Sequence, residues 1–143
     1  MSINTAKSLI GNYCIVVNTS GVAEVKQISK AENVFSEAKS FIGCRFLAYV
    51  RVQNVALDVN IGFLVNDEGY PQWGNDTTKV NQIATYIYNR GEKPDHYILG
   101  DAVFCLSVYE EEIGWDFTGM SDKFANNIAS ELNATLLQKA KEI

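Results

Sequence analysis

The pattern of apolar and polar residues near the start of the chain predicts a β-hairpin. Tyr13 to Asn18 form a short apolar run that is rich in β-branched residues. Thr19-Ser20-Gly21 then supplies residues that favour turns, and Val22 to Ile28 returns to a partly alternating pattern. Two strand-like runs on either side of such a turn indicate two antiparallel strands.

The segment after this hairpin carries the start and stop signals of a helix. Ser29 and Glu32 fit a capping box, in which the serine hydroxyl accepts a hydrogen bond from the Glu32 amide and the glutamate carboxylate reaches back. Apolar residues follow at helical spacing between Val34 and Ile42. Gly43 should end the helix, because glycine readily adopts the left-handed conformation found after a last helical turn.

Three later segments are rich in aromatic and β-branched residues and predict strands: Cys44 to Val52, Val55 to Val65 and Tyr97 to Tyr109. Within the second of them, Gly62 predicts a bulge or a close backbone approach. The third is expected to break at Gly100-Asp101. Between these strands, Asn66 to Gly69 favours a turn, and apolar residues on one helical face predict a short helix from Thr78 to Asn89.

The last part of the chain is predicted to be a loop followed by a helix. Glu110 to Gly119 is interpreted as a loop that holds Trp115 and Phe117. Ser121 can cap the helix, and Asp122 suits its positive N-terminal end. Apolar residues of the helix recur at every fourth position: Phe124, Ile128, Leu132 and Leu136. This stripe is expected to dock on the rest of the domain.

These elements together predict an α+β fold. Its mostly antiparallel sheet should carry a capped helix after the first hairpin, a short second helix and a C-terminal helix packed on it. The chain has 143 residues, of which 47% are hydrophobic and 20% charged, as is typical of one globular domain. With neither an internal repeat nor a linker, residues 1–143 are predicted to form a single domain.

Composition and charge narrow the classes of function. The net charge is -5, and the lysines and arginines are scattered, which argues against a nucleic-acid partner. No apolar run is long enough to span a membrane, and the N-terminus lacks the layout of a signal peptide. The three cysteines stand singly in apolar runs, at Cys14, Cys44 and Cys105. They are expected to be buried free thiols, which indicates a reducing compartment and a cytoplasmic location.

Two groups of residues are candidates for a catalytic or metal-binding site. His96 with Asp95 and Asp101 could form an acid–base set, although a lone histidine beside a strand is more often a surface or hydrogen-bonded residue. Asn66-Asp67-Glu68 could offer oxygen ligands to a metal, but the same residues are typical of a turn. No motif of a hydrolase, metalloprotease or nucleotide-binding loop occurs. We therefore predict no catalytic residue, no metal site and no cofactor, and a protein that is not an enzyme.

Aromatic and amide side chains gather around the predicted second helix and the loop before it. Such side chains suit either a protein hot spot or a pocket that stacks a base and reads its edge. A polyanionic ligand would also need a lysine or an arginine nearby. The predicted binding residues are Tyr70, Trp73, Asn75, Lys79, Asn81, Thr85, Tyr88, Asn89 and Arg90. The alternative is that Trp73 and Tyr88 simply pack at the edge of the core.

Three short motifs occur in an order that resembles a known family. Gly62 to Gly69 indicates a strand that runs into an N-D-E-G turn, and it is followed by Asn81 to Thr85 and by Ile98 to Val103. This order resembles the domain of unknown function 3846 family of bacteria and phages. The resemblance covers a core over residues 13–108 and leaves a C-terminal loop and helix over residues 109–143.

The resemblance implies a context more than an activity. The chain departs from the family pattern by a longer insertion around Trp73 to Asp76 and by a longer C-terminal helix. Members of this family look like accessory proteins of phages, plasmids and other mobile elements, and the family supplies no established activity to transfer. The resemblance implies a role in host takeover or counter-defence.

Two functions remain open from the sequence. The first is a non-catalytic accessory protein that binds and inhibits a host protein. The second is a binding protein, or sponge, for a small nucleotide-like signal. Association into a homodimer is also expected if one of the apolar strands, Cys44 to Val52 or Val55 to Val65, lies at an uncovered edge of the sheet.

Overall fold

Six antiparallel strands form one sheet in the computed structural model, which describes residues 8–54, 59–69, 74, 76–89, 96–112 and 114–136. The strands are β1 (Ile10–Val17), β2 (Ala23–Gln27), β3 (Leu47–Asn54), β4 (Val59–Asn66), β5 (Ala102–Glu110) and β6 (Gly114–Thr118). The helices are α1 (Val34–Ile42), α2 (Gln82–Tyr88) and α3 (Asp122–Glu131), and a π-helical turn over Leu132–Leu136 continues α3. The fold is therefore α+β, as the sequence predicts.

The strand order is β2-β1-β5-β4-β3, with β6 paired to β5. β5 is the central strand, because it pairs with β4 along one side and with both β1 and β6 along the other. On that shared side, Phe104 faces Ile15 of β1 and Leu106 faces Thr118 of β6. In the described part of the chain β2, β3 and β6 each form a ladder with only one other strand. Within its described residues, β4 pairs with β3 on one side and with β5 on the other.

The two faces of the sheet each bury a separate apolar cluster. Successive side chains of a strand point to opposite faces, and Phe104 belongs to one cluster while Val103 and Cys105 belong to the other. Helices α2 and α3 cover the Phe104 face. Helix α1 covers the opposite face with Val34 and Ala38, which are both fully buried.

Several local predictions are confirmed. β1 and β2 form the predicted hairpin. Gly43 has a φ of 73° and its amide donates to the Lys39 carbonyl, which ends α1 as expected. The Ser121 hydroxyl accepts from the Phe124 amide and caps α3. At Gly62 the register with β3 is unbroken, so the predicted bulge is absent, and the group that approaches this glycine closely is the Phe117 ring.

The predicted capping box of Ser29 and Glu32 is wrong. A 3-10 turn over Ala31–Asn33 comes first, so α1 begins at Val34. This delay places Glu37, not Glu32, within reach of Ser29. The Glu37 carboxylate accepts from the Ser29 amide at 2.9 Å and from the Ser29 hydroxyl at 2.7 Å.

Three predicted boundaries also need correction. Residues 114–118 are strand β6 and not a loop, because β5 extends to Glu110 and offers them a pairing partner. The helix predicted from Thr78 is split into a 3-10 turn over Thr77–Lys79 and helix α2. The strand predicted from Tyr97 starts only at Ala102, because Gly100 turns the chain with a φ of 86°. Val55 to Asp58, which the sequence assigns to a strand, lie outside the described residues.

Candidate functional site

Of the predicted binding residues that the structure describes, Asn81 is the most buried, and its side-chain amide bonds to groups of the protein interior. Its exposed fraction is 0%. The amide nitrogen donates to the carbonyl oxygens of Val17 at 2.9 Å and Gly100 at 3.0 Å, and the amide oxygen accepts from the Ala84 amide at 3.1 Å. Asn81 therefore caps α2 and at the same time ties it to β1 and to the segment before β5.

Thr85 and Asn89 continue the same attachment along α2. The Thr85 hydroxyl accepts from the Ile98 amide at 2.9 Å, and this threonine is also buried. The Asn89 amide donates to the carbonyl oxygens of Thr85 and of His96. We call the hydrogen bonds that Asn81, Thr85 and Asn89 make to residues 96–100 the clasp.

Backbone contacts strengthen the clasp. Val80 forms an isolated bridge with Leu99. The Gly100 amide donates to the Lys79 carbonyl at 2.6 Å, and the Asn81 amide donates to the Ile98 carbonyl at 2.8 Å. Helix α2 has only seven residues and would not be stable alone. The clasp and the apolar contacts of Ile83 and Ile87 with the core therefore fix its position.

Aromatic side chains occupy the outer side of this unit. Tyr97 is 52% exposed and Tyr88 is 39% exposed. His96 is also exposed, and its ring centroid lies 5.3 Å from that of Tyr88. We call Tyr88, His96 and Tyr97 the aromatic surface. Because the clasp holds both of the segments that carry these rings, the aromatic surface rests on a fixed frame.

The predicted site is thus only partly brought together in the structure. Asn81, Thr85 and Asn89 do lie together, but their side chains serve the clasp. Tyr88 lies on the outside, and Lys79 is half-buried. Four further predicted residues lie outside the described part of the chain: Tyr70, Trp73, Asn75 and Arg90.

Sequence reasoning missed two residues of the aromatic surface. The sequence pattern places Tyr97 in a core strand, and it indicates a role for His96 only as a member of an acid–base set. The available signal was the pair Ile98-Leu99, which is buried and marks where the chain turns inward.

The residues weighed for chemistry have structural partners. The Asp101 carboxylate accepts from the Thr19 amide at 3.2 Å and so fastens the tip of the first hairpin. The Asn66 side chain accepts from the Glu68 amide, which is a turn bond. Glu68 forms a salt bridge of 2.8 Å with Arg45. Within the described residues, no three His, Cys, Asp or Glu side chains are grouped to hold a metal ion, and Asp95 lies outside them.

Burial keeps the thiols of two cysteines in their protonated, unreactive form. Cys14 and Cys105 have exposed fractions of 0%. Desolvation by burial raises the pKa of the Cys14 thiol to about 12 and that of the Cys105 thiol well above its usual value. Cys44 is only half-buried, and desolvation raises its pKa as well. Since the thiolate is the nucleophilic form, neither Cys14 nor Cys105 is equipped to act as a nucleophile near neutral pH.

These environments predict selective labelling of the thiols. At pH 8 we expect an aromatic disulfide reagent to modify Cys44 within minutes, while Cys14 and Cys105 react only as the chain unfolds. For a pKa of about 12, only about one Cys14 thiol in ten thousand is ionised at pH 8. Mass spectrometry of the labelled chain, with and without denaturant, checks this. Fast labelling of a Cys44→Ser variant without denaturant would contradict the assignment.

A groove of about 420 Å³ lies at the start of α3. Its lining residues are Ser8, Leu9, Ser121, Lys123, Phe124, Asn127 and Ile128. The volume falls within the range of small-ligand sites. None of the predicted binding residues is among the residues that line this groove.

No helix within the described residues has the length and apolar character needed to cross a membrane. No protein-family model matches the chain, and no curated protein or solved structure is significantly similar to it. The resemblance to the domain of unknown function 3846 family therefore stays a prediction that rests on its short motifs.

Proposed function

We propose that the protein acts by binding another protein through the aromatic surface, and that it does so without catalysis. The observation that carries the proposal is the pair of half-exposed tyrosines, Tyr88 and Tyr97, on a frame held by buried hydrogen bonds. Tyrosine offers a large contact area at a low cost in conformational entropy, and it is frequent among the residues that dominate binding energy. A frame that is fixed before binding adds to affinity because less ordering is needed.

The resemblance to accessory proteins of phages and mobile elements supports a host protein as the partner. In this proposal the protein works in the bacterial cytoplasm as an inhibitor of a host protein or as a counter-defence factor. The raised pKa values of Cys14 and Cys105 and the structural bonds of Asp101 agree with a non-catalytic role. The aromatic surface faces outward, which suits a protein partner. A small ligand would instead need an enclosed pocket.

The proposal is tested by affinity capture with paired variants. The tagged chain is expressed in a bacterial host, and the proteins that copurify are quantified by mass spectrometry. We expect Tyr97→Ala and Tyr88→Ala each to lower the recovered partner at least tenfold, since truncating a hot-spot residue costs about 2 kcal/mol or more. Phe35→Ala is the matched control, because Phe35 is 41% exposed on α1, on the other face of the sheet.

Two results would count against the proposal. In the first, the wild-type chain retains no protein above the level of an empty-tag control. In the second, the tyrosine variants and the Phe35 variant retain a partner equally well. Circular dichroism and the urea midpoint of each variant show whether a loss of binding comes from a loss of fold.

The second candidate is a sponge for a small nucleotide-like signal, and the groove at α3 favours it. Lys123 offers the positive charge that a polyanion needs, while Phe124 and Ile128 supply apolar walls. Native mass spectrometry of the purified chain, before and after denaturation, separates the two candidates. A small mass released on denaturation and lost in Lys123→Ala supports the sponge, whereas a clean mass of the protein alone removes that support.

A further inference from the structure

A side chain covers one end of the β2 edge of the sheet. In the described residues β2 pairs only with β1, so its other side is an edge. Asn133, in the π-helical turn after α3, bonds both backbone groups that Ala23 directs to this edge. Its amide nitrogen donates to the Ala23 carbonyl at 2.9 Å, and its amide oxygen accepts from the Ala23 amide at 2.8 Å. A side-chain amide thus stands where the backbone of a neighbouring strand would bind.

The same edge continues past Ala23. In an antiparallel ladder alternate residues turn their backbone groups toward alternate sides. Since Ala23 faces outward, Val25 and Gln27 do so too, while Glu24 and Lys26 bond toward β1. Among these outward residues, Ala23 is the one that a described side chain covers. As far as the described residues go, this edge is therefore covered at Ala23 and uncovered at Val25 and Gln27.

The charges on β2 make this edge self-complementary in a single register. Glu24 and Lys26 share a face, with a distance of 3.2 Å between the lysine nitrogen and a carboxylate oxygen. A second copy that pairs antiparallel about Val25 places Glu24 of each copy opposite Lys26 of the other. In that register Ala23 pairs with Gln27 of the other copy. Opposite charges across such a pair are favourable.

The neighbouring registers are unfavourable. Pairing about Lys26 would set two lysines directly opposite each other, and pairing about Glu24 would do the same with two glutamates. A register shifted by an odd number of residues would place backbone groups that point outward from one copy opposite residues of the other copy whose backbone groups point toward β1. The register about Val25 is thus the favourable one, and it requires the outward groups of Ala23 that Asn133 occupies.

We propose that the Asn133 amide is a guard that keeps β2 from pairing with β2 of a second copy of this chain. Sheet edges are ready templates for association, and proteins use specific devices to block them. A two-fold interface needs a self-complementary surface, which the order Glu24-Val25-Lys26 provides. Displacing Asn133 would then join two sheets into one continuous sheet. This inference uses no residue of the aromatic surface and stands apart from the proposed function.

The test is the mass of Asn133→Ala in solution. Analytical ultracentrifugation over a range of concentrations should show a species with twice the mass of the wild-type chain, in an amount that rises with concentration. Asn126→Ala is the matched control, because the exposed Asn126 amide bonds only to Asp122 within α3. Its mass should equal that of the wild type. If Asn133→Ala fails to fold by circular dichroism, Asn133→Ser replaces it, since serine is too short to make both bonds.

Charge reversal identifies the surface that pairs. Adding Glu24→Lys to the Asn133 variant sets lysines against Lys26 of the other copy, and we expect the doubled mass to disappear. Adding Glu24→Lys together with Lys26→Glu restores opposite charges in the same register, so the doubled mass should return. A folded Asn133 variant with the mass of the wild type would overturn the proposal. A doubled mass that stays the same in the charge-reversal variants would also overturn the proposal, because the two copies would then associate through another surface.

Discussion

Replacing Asn81 with alanine is expected to lower the free energy of unfolding by about 3 kcal/mol or more. The substitution removes three hydrogen bonds and leaves buried carbonyl groups of Val17 and Gly100 without this donor. Each buried polar group left without a partner costs about 1–3 kcal/mol, and loss of a helix cap costs about 1 kcal/mol. Urea unfolding followed by circular dichroism measures the change. Asn126→Ala should stay within about 0.5 kcal/mol of the wild type, since Asn126 is exposed.

Asn81→Asp separates the two roles of this side chain. The aspartate keeps an oxygen that can cap Ala84, but it sets a second oxygen against the carbonyl groups of Val17 and Gly100. Burial beside these acceptors should raise the pKa of the new carboxyl above its unfolded value of about 4. The variant is therefore expected to be closer to the wild type near pH 4 and to lose stability as the pH rises toward 7. Equal urea midpoints for variant and wild type at pH 7 would show that the donor bonds contribute little.

The contrast between Asn81 and Tyr88 shows what the sequence could and could not predict about the site. Both residues belong to one helical segment with polar and aromatic side chains, and the sequence pattern predicts the same binding role for both. Their difference depends on strand order, because the Val17 carbonyl that binds Asn81 lies 64 residues away in the sequence. The local sequence pattern around Asn81 does not predict a contact with so distant a residue. The type of side chain was therefore predictable, while its direction was not.

The same limit explains the corrections to the fold. Apolar periodicity predicted the first hairpin and all three helices, since each of them buries a face that the sequence itself marks. β6 was missed because a strand of five residues gives little alternation, and its partner β5 decides its state. Ser29 and Glu32 have the spacing of a capping box, but an inserted 3-10 turn moved the start of α1. The motif shows that the two side chains are able to form a capping box. The backbone conformation between them decides whether the hydrogen bonds form.

The outer strands β3 and β2 differ in length and in how their free sides are covered. β3 contributes eight residues with an unbroken register to β4, and β2 contributes five residues to β1. The shorter β2 edge is the one that a described side chain covers, and the helix that carries this side chain was predicted only as a docked stripe. Asn133 lies just outside that stripe, next to Leu132. Asn133 belongs to the π-helical turn over Leu132–Leu136. The apolar spacing of the sequence does not predict this turn.

Gly62→Ala is expected to destabilise the protein by about 2–4 kcal/mol, even though alanine usually suits a strand better than glycine. A Cβ atom at this position would lie 1.7 Å from Cε1 of the Phe117 ring and 2.3 Å from its Cδ1. The ring is 8% exposed and packs edge-on against Tyr49, with 4.5 Å between centroids. It would therefore have to leave its place over the sheet, and the loss should approach the cost of removing a buried phenylalanine.

A double-mutant cycle distinguishes this clash from a general effect on β4. Phe117→Ala should lower the free energy of unfolding by about 3 kcal/mol, and adding Gly62→Ala to it should cost almost nothing more. The coupling arises because the added methyl group then has no ring to meet. Gly43→Ala is the comparison for backbone strain alone: no atom lies within 4 Å of its Cβ, but its φ is 73°, so we expect a loss of about 1 kcal/mol. Additive losses for Gly62→Ala and Phe117→Ala would mean that the strand itself, and not the ring above it, requires the glycine.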